Sequence, residues 1–145
     1  PQGTTVPARY TEEKGRSFID RQWGRRTSGQ GLSLAIAAAT TNEAQGLVFF
    51  GLGRMRGHCH LGYWVIPEAR GQGLGAEAVR LASRWVLTET EVHRLVAEVK
   101  PDNAASIALL RGCGFTEEGV LRSWLWIEDE VFDAIQFSLL RTDLS

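Results

Sequence analysis

The chain has 145 residues, 43% of them hydrophobic, which suits one domain with one core. Its charges nearly cancel, with 16 Lys and Arg against 17 Asp and Glu, so the totals do not imply the basic face that a nucleic acid needs. Two cysteines are too few for a disulfide framework, no apolar run approaches the roughly 20 residues that span a membrane, and no signal-peptide pattern opens the chain. A cytoplasmic protein with free thiols and no membrane partner is therefore expected. The first residue is Pro1 and not Met, so the sequence reads as processed, tagged or truncated.

Residues 1–10 read as an extended lead-in. Thr11 is placed to cap a helix running to about Thr27, with Glu12 and Glu13 in its first turn. Phe18, Ile19, Gln22 and Trp23 give it a modest apolar stripe, and Arg21 to Arg26 read as a solvated face. After a turn over 28–31, strands are predicted over 32–40, 45–52 and 60–66, joined by loops short enough for an antiparallel meander. Pro67 then stops the strand and a glycine-rich loop follows. From Leu74 the apolar spacing becomes helical through Ala78, Leu81, Ala82, Trp85 and Val86. Arg94 to Lys100 reads as a strand, closed by Pro101. Asp102 or Asn103 is placed to cap a helix from Ala104 to about Arg111, which Gly112 and Gly114 end. Two further strands are predicted, 115–127 with a bend near Gly119, and 131–140. The unit from His60 to Lys100 predicts a parallel crossover and the other pairings are antiparallel. The fold class is mixed α/β: a mostly antiparallel sheet with helices on its faces, in one domain over 1–145, with no repeat or linker.

The loop Arg70-Gly71-Gln72-Gly73-Leu74-Gly75-Ala76 opens a helix at a strand end. Free N–H groups of a first helical turn point outward there, and the helix dipole favours negative charge. Glycines let the backbone approach a phosphate and adopt positive φ, and Arg70 adds a cation at the rim. A pyrophosphate cradle and a glycine-rich turn without ligand both fit these residues taken alone. Gly71-x-Gly73-x-x-Ala76 also parses as a dinucleotide-binding fingerprint. That fingerprint wants an acidic residue ending the next strand, whereas Glu89 and Glu91 precede it. A P-loop is excluded, since no Gly-Lys-Ser/Thr follows.

Leu61 to Ala78, with Arg70, Gly73 and Gly75 in the pattern Arg/Gln-x-x-Gly-x-Gly/Ala, resembles motif A of the GNAT acetyltransferase superfamily. Pro101-Asp102-Asn103-Ala104-Ala105-Ser106 and Gly112-Cys113-Gly114-Phe115 resemble its next motif. Glu117 to Arg122 and Phe137 to Arg141 resemble one branch, the RimJ/RimL-like acetyltransferases of ribosomal-protein N-termini and similar small-molecule acetylators. The resemblance covers about residues 60–141 strongly and the first part weakly.

What it implies is a GNAT-like sheet with a splayed parallel β-α-β site for acetyl-CoA, no metal, and a primary amine, on a protein N-terminus or a small molecule, as acceptor. Arg70, Gly71, Gln72, Gly73, Leu74, Gly75 and Ala76 would hold the pyrophosphate. The pantetheine arm would lie between the strands ending at Ile66 and Lys100, with backbone amides of Val65 or Ile66 bonding the arm and polarising the thioester. Asn103 would bond the pantetheine or an ordered water. The tyrosine that many members place seven residues after this asparagine is Leu110 here; Ser106, sharing the helix face of Asn103 and Leu110 by its spacing, is positioned to serve the departing sulfur instead. A hydroxyl bonding back to its own helix is the competing reading of Ser106. Leu110 also keeps open a non-catalytic acyl-CoA-binding or regulatory module on the same fold. Members begin with another strand and helix, so this chain either lacks that element or rebuilds it; a missing strand would bare a sheet edge to a second copy of the chain.

Cys113, between two glycines at a helix end, reads as a packed thiol rather than a nucleophile. His58 and His60 share a strand face beside Cys59, but two ligands do not make a zinc site, and with His93 they are read as surface or core residues. Glu118, Glu98 and Glu77 are candidates for the base by residue type only. Glu128-Asp129-Glu130 reads as a solvated turn able to draw a cationic substrate.

Overall fold

The computed structural model describes residues 11–144, so the expected lead-in over 1–10 lies outside the described residues. The elements follow the predicted order: α1 (Glu12–Thr27), β1 (Gly31–Ala37), β2 (Ala44–Leu52), β3 (His58–Val65), α2 (Leu74–Glu89), β4 (Arg94–Val99), α3 (Ala104–Gly112), β5 (Thr116–Ile127) and β6 (Glu130–Leu140). Short 3-10 turns at Pro67–Ala69 and Arg141–Asp143 were not anticipated. The caps are as read: Thr11 accepts from the Lys14 amide at 3.2 Å and Asn103 from the Ser106 amide at 3.1 Å.

The six strands form one sheet in the order β1-β2-β3-β4-β6-β5, with β3 and β4 parallel and every other pair antiparallel. Among the described residues β1 and β5 are its edges. Pleating sends alternate side chains to opposite faces. Ile36, Val48, Phe50, Cys59, Leu61, Leu95, Ala97, Val99, Phe137 and Leu139 point to one face and join Val79, Val86 and Leu87 of α2 and Leu110 of α3 in the core. The other face carries Ser33, Phe49, His60, Trp64, Arg94, Glu98 and Ser138, and α1 lies over its β1 end, where Ser33 Oγ donates to Gln22 Oε1 at 2.7 Å.

Two helix faces differ from the sequence reading. No residue of α1 is fully buried, and Ile19 and Trp23 remain more than half exposed, because α1 packs chiefly on β1. Arg26 lies over the Trp23 ring at 5.4 Å instead. In α2 Val86 is buried and Leu74, Ala78 and Ala82 pack on the core as read, while Val79, Ser83 and Leu87 complete that face and Leu81 and Trp85 are exposed. The bend expected near Gly119 is real: Gly119 has φ 147° and the β5–β6 register shifts there, and again between Leu121 and Leu125.

Arg141 closes the domain. Its guanidinium donates to the carbonyls of Leu87 (2.6 Å), Thr90 (2.5 Å) and Val92 (2.8 Å), tying the end of β6 to the turn between α2 and β4. A cation shared by three carbonyls at a half-buried site is costly to remove, since the acceptors stay behind. Arg141→Met is expected to destabilise the fold by about 3 kcal/mol in urea unfolding at unchanged slope; a loss below about 1 kcal/mol would show that water serves these carbonyls equally well.

Candidate functional site

The glycine loop is built by backbone geometry. The turn after β3 closes with Ala69 N–H on the Ile66 carbonyl (3.1 Å) and Arg70 N–H on the Pro67 carbonyl (3.2 Å). The chain then takes left-handed φ at Gly71 (75°) and Gly73 (78°). Nothing lies within 4 Å of a Cβ at either position, so glycine is needed there for φ and not for space. Gly73 caps α2 with no side-chain bond, and its carbonyl takes the Glu77 amide at 3.0 Å. No amide from Gly71 to Ala76 finds an acceptor among the described residues. Six consecutive donors therefore lie without protein partners at the positive end of a 16-residue helix. Gly75 differs from its neighbours: a Cβ would meet Val65 Cγ2 at 3.2 Å and Leu109 Cδ1 at 3.4 Å, so its smallness lets α2 approach β3 and α3. Arg70 stands at the exposed rim, but its Nε donates to the Val65 carbonyl at 3.0 Å; Gln72 Nε2 bonds the Glu68 carbonyl at 3.3 Å.

Beside this loop the sheet opens. β3 and β4 pair only at His58–Arg94, Cys59–Leu95 and His60–Val96, although β3 continues to Val65 and β4 to Val99. Which amides line the slit follows from the ladder with β2. The Ile66 amide bonds the Gln45 carbonyl at 2.9 Å, which makes Val65–Gly46 a non-hydrogen-bonded pair. The amides of Tyr63 and Val65 thus point away from β2, towards the slit, where β4 no longer meets them. This corrects one expectation: Ile66 is already engaged by β2, and Val65 is the residue whose amide is available.

At the far lip, α3 presents Asn103 and Ser106. Asn103 engages its carbonyl oxygen with the Ser106 amide, which leaves its NH₂ to a ligand or water. Ser106 Oγ makes no bond back to its helix. The Tyr63 side chain comes up beneath it from β3. The Tyr63 hydroxyl is buried with no partner in bonding geometry; burial raises its pKa and the facing Ser106 hydroxyl opposes the rise. Leu110, by contrast, is fully buried in the core. It lies one turn beyond Ser106 on the same side of α3, as the spacing implies, but deeper in the core and with no proton to give.

Neither thiol is favoured as a thiolate. Burial pushes Cys59 up to about 11, and it points into the core while His58 and His60 point the other way. Cys113 Sγ reaches the Ala76 carbonyl at 3.4 Å, and burial raises its pKa, partly opposed by Arg80. His58 and His93 meet ring edge to ring face at 5.5 Å. No group of three metal-ligating side chains occurs among the described residues.

Of the three carboxylates, Glu77 is exposed in the first turn of α2. Glu118 is fully engaged: Arg94 donates to both its oxygens, one at 2.9 Å, and Gln136 (2.9 Å) and Ser138 (2.8 Å) donate as well. Arg94 first, then Gln136 and Ser138, pull its pKa down to about 2 against the effect of burial. It is an ion-pair partner with no affinity for a proton near neutrality. Glu98 is 15% exposed and bonds His60 Nδ1 at 3.3 Å, which raises the pKa of the 48%-exposed imidazole.

The profile of the acetyltransferase (GNAT) domain matches residues 1–116. The chain belongs to the GNAT acetyltransferase family. It is 30% identical over 116 residues to an uncharacterized N-acetyltransferase p20 of Bacillus licheniformis, covering 79% of this chain and 65% of that one. It is 33% identical over 85 residues to the [ribosomal protein uS5]-alanine N-acetyltransferase of Escherichia coli K12, covering 59% and 44%. The chain thus spans less than two thirds of these curated relatives. In fold it superposes on Mycobacterium smegmatis RimJ, solved with CoA-disulfide, at TM-score 0.87 and 24% identity over 98% of this chain and 68% of that one. The resemblance to the RimJ/RimL-like branch is thereby shown.

Within this GNAT fold, two features had no signal in the sequence. Tyr63 was visible only as part of a motif, since its approach to Ser106 depends on how α3 packs. The His60–Glu98 contact joins residues 38 apart through the parallel ladder. The Glu118 cluster makes a pH-dependent prediction. Its folded pKa lies below the ordinary carboxylate value, so its stabilisation is present above about 4.5 and is lost as pH falls towards about 2. Glu118→Gln should be clearly less stable than the parent at pH 7, with the gap closing between pH 4.5 and 2 in urea unfolding; a gap independent of pH would refute the assignment.

Proposed function

We propose that this chain transfers the acetyl group of acetyl-CoA to a primary amine, on a protein N-terminus or a small molecule, by direct attack. The observation that carries it is the run of six unbonded amides, Gly71 to Ala76, opening directly beside the slit between β3 and β4. An anion cradle next to a gap in a sheet suits a ligand with a pyrophosphate at one end and an extended amide-bearing arm at the other. The preceding antiparallel meander and the splayed strands give a dinucleotide no such place.

Acetyl-CoA supplies the activated thioester. Arg70 and the amides of Gly71, Gln72, Gly73, Leu74, Gly75 and Ala76 hold the pyrophosphate, Val65 and the NH₂ of Asn103 hold the arm, and Ile66 contributes only through its packing. The Val65 amide donates to the thioester oxygen as it gains charge. The amine nitrogen bonds to the carbonyl carbon, the carbon–sulfur bond breaks, and the sulfur leaves as thiolate. The Ser106 hydroxyl donates to that sulfur, with the Tyr63 hydroxyl behind it.

Thermal shift separates the ligands: acetyl-CoA and CoA should raise the melting temperature in a concentration-dependent way and NAD should not. Gly73→Ala places a Cβ at φ 78° within the cradle and should weaken acetyl-CoA binding at least tenfold. Thiol release with hexapeptides beginning in Ala or Ser and with spermidine then reads transfer. Ser106→Ala should lower kcat about tenfold while leaving acetyl-CoA binding intact. Stabilisation by CoA species without thiol release from any amine would instead favour an acyl-CoA-binding module.

A further inference from the structure

We propose that His60, oriented by Glu98, is the base that takes the proton from the attacking amine. This rests on the acetyl-transfer reading above.

The placement comes from the sheet. His60 is the last residue of β3 still paired with β4, so it stands at the floor of the slit, where the strands begin to part. Its side chain lies on the face opposite α2, α3 and the core. Helices close the other face at the slit. An amine must therefore approach the thioester from the side of His60. The room beside it is shaped by Gly62 and Phe49: a Cβ on Gly62 would lie 1.9 Å from the tip of the Phe49 ring, which occupies the space above that glycine. Trp64, two residues along the same face, has a buried indole N–H without a partner in the structure.

The chemistry comes from the pair. A carboxylate only accepts, so Glu98 fixes the proton of neutral His60 on Nδ1. The lone pair is then on Nε2, in a ring whose side chain is half-exposed. When the amine nitrogen bonds to the acetyl carbon and the thiolate leaves, the surplus nitrogen proton passes to Nε2 through water in the slit, since His60 lies five residues of β3, roughly 16 Å, from Val65. The resulting imidazolium keeps its bond to Glu98, as in other carboxylate–histidine pairs. Glu98 is the positioning residue.

The charged or titratable groups on this face are His58, Arg94, Glu98, Lys100 and Glu118, with Arg25 reaching in from α1. Arg94 and Glu118 neutralise each other, and Lys100 pairs with Asp102 at 3.0 Å. Arg25 approaches Gly51, the β2 residue opposite His60. The directly bonded Glu98 raises the pKa of His60, and burial of the ring opposes the rise without cancelling it. β1 and β2 carry no titratable side chain here, and β6 presents Gln136 and Ser138.

The test is kcat against pH with a saturating Ala-starting hexapeptide and acetyl-CoA, for the unsubstituted chain, His60→Asn, His60→Ala and Glu98→Gln, each checked for acetyl-CoA binding and melting temperature. The unsubstituted chain should lose activity as pH falls through the pKa of His60. Glu98→Gln should move that limb to lower pH, because the interaction that raises the pKa is gone. His60→Asn should lose at least 100-fold in kcat, and added imidazole should restore activity to His60→Ala. Thiol release that His60→Asn keeps within threefold, with an unmoved acid limb, overturns the role of His60 while the acetyl-transfer reading stands. No thiol release by the unsubstituted chain with the peptides or spermidine overturns both.

Discussion

The structure turns on where the β3–β4 ladder stops. Three parallel pairs hold the strands at one end, and beyond His60–Val96 each keeps only its outer neighbour, β3 through β2 and β4 through β6. An interrupted ladder in the middle of a sheet leaves backbone donors without partners, which costs more than the missing bonds alone if water cannot reach them. The gap persists because its walls are held from outside. Seven pairs to β2 fix β3, six to β6 fix β4, and Gly75 brings the first turn of α2 against Val65. The amides of Tyr63 and Val65 stay presented to whatever enters.

That interruption divides the two faces of the sheet by chemistry. On the helix-covered face the apolar residues are continuous from Ile36 to Leu139, and the polar groups near the slit are the α2 amides, Ser106 and Tyr63. On the other face the carboxylates sit in contrasting surroundings. Glu118 accepts from Arg94, Gln136 and Ser138, and every one of those bonds favours the ionised form, so it cannot exchange protons near neutrality. Glu98 has a titratable partner instead of an arginine. A proton can move onto His60 with its charge compensated at 3.3 Å, and that distinguishes a pair that can cycle from one that only braces the sheet.

Much of this was legible from local chemistry. Pro67, Pro101 and the glycines at 71, 73, 112 and 114 punctuate the chain, so element order and the position of the glycine loop followed from turn and cap rules that act over a few residues. The misses all needed packing or register. The α1 stripe stays exposed because the helix meets little beyond β1. The inward face of α2 keeps Leu74, Ala78, Ala82 and Val86 but is shifted at its margin, since contact with the sheet selects Val79 and Leu87 over Leu81 and Trp85, although all four are apolar. Ile66 and Val65 look equivalent in sequence, yet the antiparallel alternation gives one amide to Gln45 and the other to the slit. The His60–Glu98 contact exists only through a parallel pairing, which no spacing within one strand reveals.

The move from position 110 to position 106 follows from the helix itself. α3 has nine residues, and Leu110 lies near its C-terminal end, deep in the core. The carbonyl end of a helix opposes a nearby anion. Ser106 lies in the first turn, where the dipole and the unbonded Ala105 amide favour one. In the proposed transfer a departing thiolate beside Ser106 meets a hydroxyl donor and a positive helix end together. Asn103 holds that turn in place by accepting from the Ser106 amide, and Tyr63 supports it from β3. A short hydroxyl at the helix start thus needs only local stabilisation of the sulfur, which leaves Leu110 free to fill the core. The same arrangement separates the two proton tasks by sheet face: Ser106 attends the sulfur from the helix side, and His60 receives the amine proton from the open side.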